Sequence, residues 1–324
     1  MCTAICCQTD DFYFGRTLDY DISYGEEITV TPRDYPLRFC HTGTPEHHYA
    51  MIGMARVEDG FPLYFDAVNE AGLCAAGLNF PHSTVYQPAA PQGENVAQYE
   101  FIPWLLSRCA NLQQAVQRLQ TIRLTGTPFS PQLPAAPLHW LVADRTGAVT
   151  VEATRDGLQI LPNPVGVLTN EPPFEQQMLR LSDYLQLSPA EPQNRFGPQL
   201  PLRPYSRGMG ALGLPGDFSS PSRFVRACFV KEHSVPGRTE AERVGQFFHL
   251  MDTVAQPRGS CRLANGSCEI SRYTSCCNAD RGIYYYTTYE NRSITAVHLH
   301  RFGVDGNRLV RRPLARTERI TLQE

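Results

Sequence analysis

The 324-residue chain lacks several features that would assign a protein to a class at once. It has no run of 18 or more apolar residues, so no segment is predicted to span a membrane. No basic stretch followed by an apolar segment opens the chain, so we predict no secretory signal and expect a cytoplasmic protein. No basic run exceeds Arg311-Arg312 and the net charge is −3, which argues against nucleic acid as a partner.

Cysteine, in contrast, is abundant. Without an export signal, the eleven cysteines are expected to be reduced thiols rather than a disulfide framework. The chain has no Cys-x-x-Cys pair, and His47-His48 and His298-Leu-His300 lack zinc-site spacing. We therefore interpret the doublets Cys6-Cys7 and Cys276-Cys277 as small buried apolar residues, and expect no metal and no cofactor.

The spacing of apolar residues predicts an α+β fold. Residues 1–80 and 282–301 are typical of strands, and helices are predicted over 96–122 with a break near Asn111, over 174–187, and over 239–254. No linker divides the chain, so residues 1–324 are expected to form a single domain. The Pro-rich segment 187–205 is predicted to be an irregular excursion, a kind of loop that often serves assembly.

Cys2 is the most informative residue because it directly follows Met1. A small second residue generally permits removal of the initiator Met, which would leave one residue with both a thiol and a free α-amine. Such a residue supplies nucleophile and general base together. The alternative is that Cys2 is an ordinary residue of a first strand.

Arg16 and Asp19 offer a cation and a carboxylate that would set the pKa of a nearby thiol. They belong to a strand predicted to pair with the one that starts at Cys2. Residues three apart face opposite sides of a strand, so we expect the chain to bend between them if both are to meet Cys2. A surface ion pair is the alternative interpretation.

Two asparagines and two arginines complete the candidate set. Asn79 and Asn170 each end an apolar strand, where an amide either donates to a developing oxyanion or forms a turn. Arg223 and Arg226 lie three residues apart on one face of a predicted helix. None of these residues alone specifies a reaction.

Their order and spacing along the chain carry a resemblance. The segments concerned are Met1-Cys-Thr3, Phe14-Gly-Arg-Thr-Leu-Asp19, Asn69-Glu-Ala-Gly-Leu73, Ala76-Gly-Leu-Asn-Phe-Pro81, Leu138-His-Trp140, Val167-Leu-Thr-Asn170, Gly213-Leu-Pro-Gly-Asp217, Ser222-Arg-Phe-Val-Arg226, Tyr273-Thr-Ser-Cys276 and Gly282-Ile-Tyr-Tyr-Tyr-Thr-Thr-Tyr-Glu-Asn291. Together they resemble the choloylglycine hydrolase family (bile salt hydrolases and penicillin V acylases) within the N-terminal nucleophile hydrolases. The resemblance implies a four-layer αββα sandwich.

The resemblance also implies roles for the candidate residues. Cys2, bared by loss of Met1, would attack an amide carbonyl while its α-amine relays the proton and Asp19 holds that amine. Arg16 and Arg223 would lie beside the nucleophile. The remaining assignments are Asn79 and Asn170 in the oxyanion hole and Arg226 as a structural residue. Members of the family are commonly homotetramers, so a homo-oligomer is expected here.

Asn79 bears on the substrate, since bile salt hydrolases resemble this chain in having Asn there, whereas penicillin V acylases more often have Tyr. The resemblance thus implies glycine- or taurine-conjugated bile acids as substrates. A steroid needs an apolar wall. The candidates, part of which are expected to belong to the core instead, are Leu18, Tyr20, Phe61, Phe65, Phe129, Leu133 and Leu138.

Two alternatives stay open at this point. One is a penicillin V acylase or another amidase of the same family that acts on N-acyl amines. The other is a non-catalytic, Cys-rich binding or redox protein on the same scaffold, in which replacing Cys2 would leave function intact.

Overall fold

The computed structural model describes residues 1–323, which form sixteen strands and five α-helices. The strands are β1 Cys2–Gln8, β2 Phe12–Tyr20, β3 Glu27–Thr31, β4 Met51–Glu58, β5 Phe61–Asn69, β6 Cys74–Asn79, β7 Glu94–Ala97, β8 Ile122–Thr125, β9 Leu138–Asp144, β10 Gly147–Thr154, β11 Gly157–Pro162, β12 Val167–Leu168, β13 Ile270–Asn278, β14 Ile283–Thr288, β15 Asn291–His298 and β16 Val310–Pro313. The helices are α1 Phe101–Arg108, α2 Leu112–Leu119, α3 Phe174–Arg180, α4 Ser220–Glu232 and α5 Glu240–Asp252.

Two antiparallel sheets form the centre of the molecule. One has six strands in the order β12-β1-β2-β13-β14-β15, and the other has eight in the order β11-β10-β9-β6-β5-β4-β3-β16. Helices α1 and α2 cover the outer side of the eight-stranded sheet, while α4 and α5 cover the six-stranded one. The layers therefore run α, β, β, α, and the prediction of an αββα sandwich is confirmed.

β2 lies at the middle of the six-stranded sheet, and eight of its nine residues are buried. A strand covered on both faces normally contains apolar residues, yet this one contains Arg16 and Asp19, each 0% exposed. Gly15 fits here because β2 approaches β13 closely: a Cβ at this position would lie 2.0 Å from the Ser275 carbonyl oxygen. The fold thus holds two buried charges at the centre of a sheet.

The helix predicted over 96–122 is partly wrong at its start. Residues 94–97 instead form β7, which pairs in parallel with β8, and the first helical turn begins only after them. The predicted break near Asn111 is confirmed, since α1 ends at Arg108 and the Asn111 side chain caps α2. The helix predicted over 239–254 is confirmed as α5, which a capping box of Thr239 and Glu242 opens.

Residues 187–204 contain no helix or strand, as predicted. The surrounding stretch exposes large apolar side chains, including Leu185 at 85%, Phe196 at 87% and Tyr205 at 84%. Among residues 1–323, no helix has the length and apolar character needed to cross a membrane.

Candidate active site

Cys2 begins β1 opposite Leu18 of β2, and it is 3% exposed. Met1 continues the strand, because its amine donates to the Asp19 carbonyl (2.7 Å) and its carbonyl accepts from the Asp19 N–H (2.9 Å). The same amine forms an ion pair with the buried Glu269 carboxylate. The Cys2 peptide N–H donates to Asn170 Oδ1 at 2.8 Å. The nitrogen that would become the α-amine therefore already has an acceptor.

Arg16 extends from β2 toward the eight-stranded sheet. Its Nη1 donates to the carbonyls of Phe65 (3.1 Å) and Gly77 (2.5 Å), and its Nε donates to the Thr17 carbonyl (3.1 Å). Its buried Nη2 has no hydrogen-bond partner within residues 1–323. Burial lowers the pKa of the guanidinium, but the acidic groups of Cys2, Tyr273, Asp66 and Asp19 raise it by more, and the net direction is upward. Arg16 thus stays a cation beside Cys2.

Asp66 supplies a buried counter-charge for Arg16. Its carboxylate accepts hydrogen bonds from the hydroxyls of Tyr273 (2.6 Å), Tyr284 (2.6 Å) and Ser275 (3.0 Å), which all belong to the opposite sheet. Burial raises the pKa of this carboxyl, while Arg16 and the three hydroxyl donors act in the opposite direction. The network joins the two sheets directly behind Arg16.

Asp19 lies on the other face of β2. Its Oδ1 accepts from Ser271 Oγ (2.5 Å), its Oδ2 accepts from Thr17 Oγ1 (3.1 Å), and Oδ2 is 4.0 Å from Nη1 of Arg223. The bend expected between Arg16 and Asp19 is absent, because β2 runs unbroken through both. The two residues reach the Cys2 end of β1 from opposite faces, Arg16 from between the sheets and Asp19 from the side of α4.

Asn170 and Asn79 are brought together. The Asn170 amide nitrogen donates to the Asn79 carbonyl (2.7 Å), while its Oδ1 accepts from Cys2 N and from Nη2 of Arg223 (2.7 Å). An amide nitrogen has two N–H donors, so the contact with Asn79 uses one of them. Asn170 therefore joins the end of β6 to the start of β1.

Arg223 is fully buried at the first turns of α4. It donates to the Cys2 carbonyl (2.6 Å), to Thr3 Oγ1 and to the Phe218 carbonyl (3.1 Å), besides Asn170. Burial lowers the pKa of its guanidinium, opposed by the charges of Asp19, Cys2 and Glu269. Arg226 instead donates to three backbone carbonyls, those of Pro215, Asp217 and Thr253, which suits the structural role expected of it.

A cavity of about 250 Å³ opens beside Cys2. It is lined by Arg16, Asn79 and six of the seven predicted wall residues, namely Leu18, Tyr20, Phe65, Phe129, Leu133 and Leu138. Phe61 does not line it, and its ring packs against the rings of Tyr99 (5.8 Å between centroids) and Phe129 (6.2 Å). The cavity is thus mainly apolar, with polar groups at the Cys2 end.

Several residues of the same cavity carry no signal in the sequence. Those from β4, β5 and the segments around them are Tyr24, Arg56, Leu63, Tyr64, Gln98, Tyr99 and Ile102. Arg56 is a second guanidinium in the cavity, and it pairs with Glu58 (2.7 Å). No local signal distinguishes it, since an Arg two residues before a Glu on a strand is typical of a solvated surface pair.

Most of the other cysteines are buried thiols. Cys6, Cys74, Cys228, Cys276 and Cys277 are all buried, and all eleven cysteines of the chain are free. Burial raises the pKa of each of these five thiols above its ordinary value. They therefore pack as apolar groups, as predicted for Cys6, Cys276 and Cys277, whereas Cys7 is only half-buried.

Comparison with known proteins adds to this geometry. A family model for linear amide C–N hydrolases of the choloylglycine hydrolase family matches residues 2–311. A bile salt hydrolase/transferase from Lactiplantibacillus plantarum is 47% identical over 314 residues, which is 97% of each chain. The crystal structure of a mutant conjugated bile acid hydrolase from Clostridium perfringens superposes with a TM-score of 0.92, at 32% identity and full coverage of both chains.

A penicillin V acylase from Agrobacterium tumefaciens shares the fold, with a TM-score of 0.75 at 18% identity over 95% of this chain and 90% of that one. At this identity the likeness extends to architecture alone. The family model, the relatives and the two-sheet architecture agree with one another. The chain belongs to the choloylglycine hydrolase family of linear amide C–N hydrolases.

Proposed function

We propose that the protein hydrolyses the amide bond of glycine- or taurine-conjugated bile acids, with Cys2 as its N-terminal nucleophile. The observation that supports this most is that Cys2 opens onto an apolar cavity while its backbone nitrogen is held by Asn170. The names of the relatives, bile salt hydrolase/transferase and conjugated bile acid hydrolase, point to the same substrates.

In this mechanism, removal of Met1 turns the Cys2 peptide nitrogen into a free amine. Asn170 Oδ1, 2.8 Å from that nitrogen, orients the amine so that its lone pair takes the Cys2 thiol proton. The thiolate sulfur then attacks the carbonyl carbon of the substrate amide. Arg16 and Arg223, both buried and both within the electrostatic reach of Cys2, favour the thiolate.

The carbonyl oxygen becomes an oxyanion as the sulfur–carbon bond forms. We assign its stabilisation to the remaining N–H of the Asn170 amide and to the Asn79 peptide N–H. In support, Asn79 lies in the wall of the cavity beside Cys2, and the Asn170 amide donates a hydrogen bond to the Asn79 carbonyl. Removing one such donor from an oxyanion hole commonly lowers kcat by about 10²–10³.

Collapse of the tetrahedral species breaks the carbon–nitrogen bond. The α-ammonium of Cys2 gives its proton to the leaving nitrogen, so glycine or taurine departs as an amine and a thioester remains on Cys2. Water then attacks the thioester, passes a proton to the α-amine and releases the bile acid, after which the sulfur is protonated again. The Asp19 carboxylate accepts a hydrogen bond from Ser271 and lies opposite Arg223, so it balances the positive charge of that guanidinium on this side of β2.

The cavity fits an acyl group that is mainly apolar and carries hydroxyls far from its amide. Arg56 is opposite Leu63 in β5, two residues or about 7 Å along the strand from Phe65, whose carbonyl holds Arg16. In our proposal the steroid lies along this wall, and its hydroxyls meet Arg56. At about 250 Å³ the cavity is small for a ligand of four fused rings, and part of its wall comes from segment 129–138.

A penicillin V acylase is the alternative from the same family. Asn79, rather than Tyr, favours bile salts through the resemblance stated above. The ratio of kcat/KM for glycocholate and penicillin V discriminates the two substrates, since each value reports stabilisation of its own transition state.

The test is intact-mass spectrometry of the purified protein together with an assay of glycine released from glycocholate. Loss of Met1 with glycine release supports the proposal. Loss of Met1 with hydrolysis of penicillin V alone transfers the mechanism to the other substrate. If Met1 is retained in a folded, active protein, or if Cys2→Ala keeps full activity, the catalytic role of Cys2 is wrong.

We also propose that the chain assembles into a homo-oligomer, with a tetramer as the expected form. The exposed side chains of Leu185, Phe196 and Tyr205 in and beside the Pro-rich segment support this, because a monomer gains by covering so much apolar surface. Light scattering coupled to size exclusion measures the mass directly, and a monodisperse 36.3 kDa species would contradict the proposal.

A further inference from the structure

A buried histidine connects the two segments that we assign to the oxyanion hole. His139, in β9, is 0% exposed, and its ring is stacked on the Phe80 ring with centroids 4.3 Å apart and an interplanar angle of 6°. Its Nε2 is 2.9 Å from the Thr169 carbonyl oxygen. Phe80 directly follows Asn79, and Thr169 directly precedes Asn170. One imidazole therefore contacts the neighbour of each asparagine.

The protonation of this ring follows from its partners. A carbonyl oxygen only accepts, so Nε2 must donate to Thr169. On the other side of the ring, Nδ1 is 3.0 Å from Oε1 of Glu152, which is 2% exposed and also accepts from the Phe174 N–H (3.1 Å). A proton must lie between Nδ1 and the carboxylate, whichever of the two atoms holds it. The ring is thus fixed at both nitrogens.

We propose that His139 is a positioning residue for the oxyanion hole, which holds Asn79 and Asn170 in register through the Phe80 ring and the Thr169 carbonyl. The inference rests on the proposed function, since it takes the roles of the two asparagines from there. The Asn170 side chain is fixed by hydrogen bonds to Cys2, Asn79 and Arg223. A small shift of the Thr169 carbonyl therefore moves the amide that stabilises the oxyanion.

Two substitutions separate the contacts of the ring. The side-chain nitrogen of Asn matches Nδ1 of histidine in position, and that of Gln matches Nε2. His139→Asn thus keeps a donor toward Glu152 and loses the hydrogen bond to Thr169. His139→Gln keeps the donor toward Thr169 and loses the contact with Glu152. Both variants lose the stack on Phe80, so their difference compares loss of the Thr169 hydrogen bond with loss of the Glu152 contact.

The expected result is that kcat for glycocholate is about tenfold lower in His139→Asn than in His139→Gln, with KM within about twofold of wild type in both. The factor is smaller than that for deleting a donor outright, because the donor is displaced and not removed. Equal kcat in the two variants, or the reverse ranking, overturns the proposal, because a residue that only stabilises the core has no reason to favour the Gln variant.

Glu152→Gln is the second variant, and it can overturn the proposal even if His139→Asn does not fold. A Gln amide can donate to Nδ1 and accept from Phe174, so a neutral imidazole keeps its hydrogen bond to Thr169. We expect kcat within about threefold of wild type, by the same reasoning on retained hydrogen bonds. A loss of tenfold or more at an unchanged melting temperature overturns the proposal.

Hydrogen exchange gives a measurement that needs no substrate. Peptides covering 167–171 are expected to exchange faster in His139→Asn than in His139→Gln, and equal exchange rates contradict the positioning role. If the wild-type enzyme fails to release glycine, the proposed substrate is wrong, while this comparison still reports on His139. The two failures are therefore distinguishable.

Discussion

Asn170 combines two roles in one side chain, and two substitutions separate them. Its Oδ1 accepts from the Cys2 nitrogen and from Arg223, whereas its Nδ2 donates to the Asn79 carbonyl and, in our mechanism, to the oxyanion. Asn170→Asp keeps the two acceptor contacts and removes the N–H donors. Asn170→Ala removes all of them.

The expected magnitudes follow from these contacts. Loss of one oxyanion donor lowers kcat by about 10²–10³, so Asn170→Asp is expected in that range with KM little changed. A positioned general base raises the rate by about 10²–10⁴. Because Asn170→Ala also frees the Cys2 amine to move, we expect its kcat to be at least about tenfold lower than that of Asn170→Asp. Asn170→Ala leaves a buried N–H of Arg223 without its acceptor, which costs about 1–3 kcal/mol of stability.

The assay is glycine release from glycocholate, with kcat and KM measured separately and Met1 removal verified by intact mass for each variant. Asn307→Asp, an exposed amide-to-acid change away from the site, is the control for the added charge. Asn170→Asp with kcat within threefold of wild type would refute the oxyanion role. Equal kcat in the Asp and Ala variants would refute the role of Oδ1 in holding the amine.

Four other predictions concern the rest of the molecule. At neutral pH, iodoacetamide is expected to label the mature Cys2 but not Cys6 or Cys7, since burial raises the pKa of these thiols to about 12 and about 11; peptide mapping measures this, and rapid labelling of either contradicts it. Hydrogen bonds from two serine side chains lower the pKa of Asp217 to about 2, so its contribution to stability is fully present above about pH 4 and is lost as pH falls through about 2. Asp217→Asn should therefore destabilise the protein by at most about 1 kcal/mol at pH 7, because the carboxylate is solvated, and by less at pH 2; denaturant unfolding at both values tests the sign. Phe196→Glu is expected to shift the protein to a smaller species in size exclusion with kcat retained, and an unchanged mass would remove this residue from the interface. Arg56→Met is expected to raise KM for glycocholate about tenfold through loss of a charged hydrogen bond, but to leave KM unchanged for an acyl group without ring hydroxyls; equal effects on both substrates would refute the contact.

The sequence contains most of the chemistry of the site but little of its geometry. Cys2 and its partners were found because their residue types suit acyl transfer and their order resembles a known family. The faces on which Arg16 and Asp19 lie follow from strand alternation. That both are buried does not follow, because it depends on a second sheet and a helix layer that cover β2.

Other parts of the structure had no local signal. The predicted helix starts at residue 96, yet residues 94–97 pair with β8, some 28 positions further along the chain, and pairing at that distance leaves no periodic trace. Arg56 lines the cavity because β4 lies beside β5, whereas the Phe61 ring packs against Phe129 and does not line it. The Leu138-His-Trp140 segment was matched, but a role for His139 required its contacts.

The position of Met1 has a consequence for how active enzyme arises in a cell. In the folded chain, two backbone hydrogen bonds join Met1 to Asp19, and the Met1 amine forms an ion pair with Glu269. The peptide N–H between Met1 and Cys2, at the bond that must be cleaved, donates to Asn170. An aminopeptidase needs that amine and that amide free and extended in its own active site. Trimming and folding therefore compete for the same few atoms during synthesis. We expect slow removal of Met1, as under strong overexpression, to leave a fraction of molecules folded but inactive. The specific activity of a preparation then depends on how it was expressed as well as on its purity.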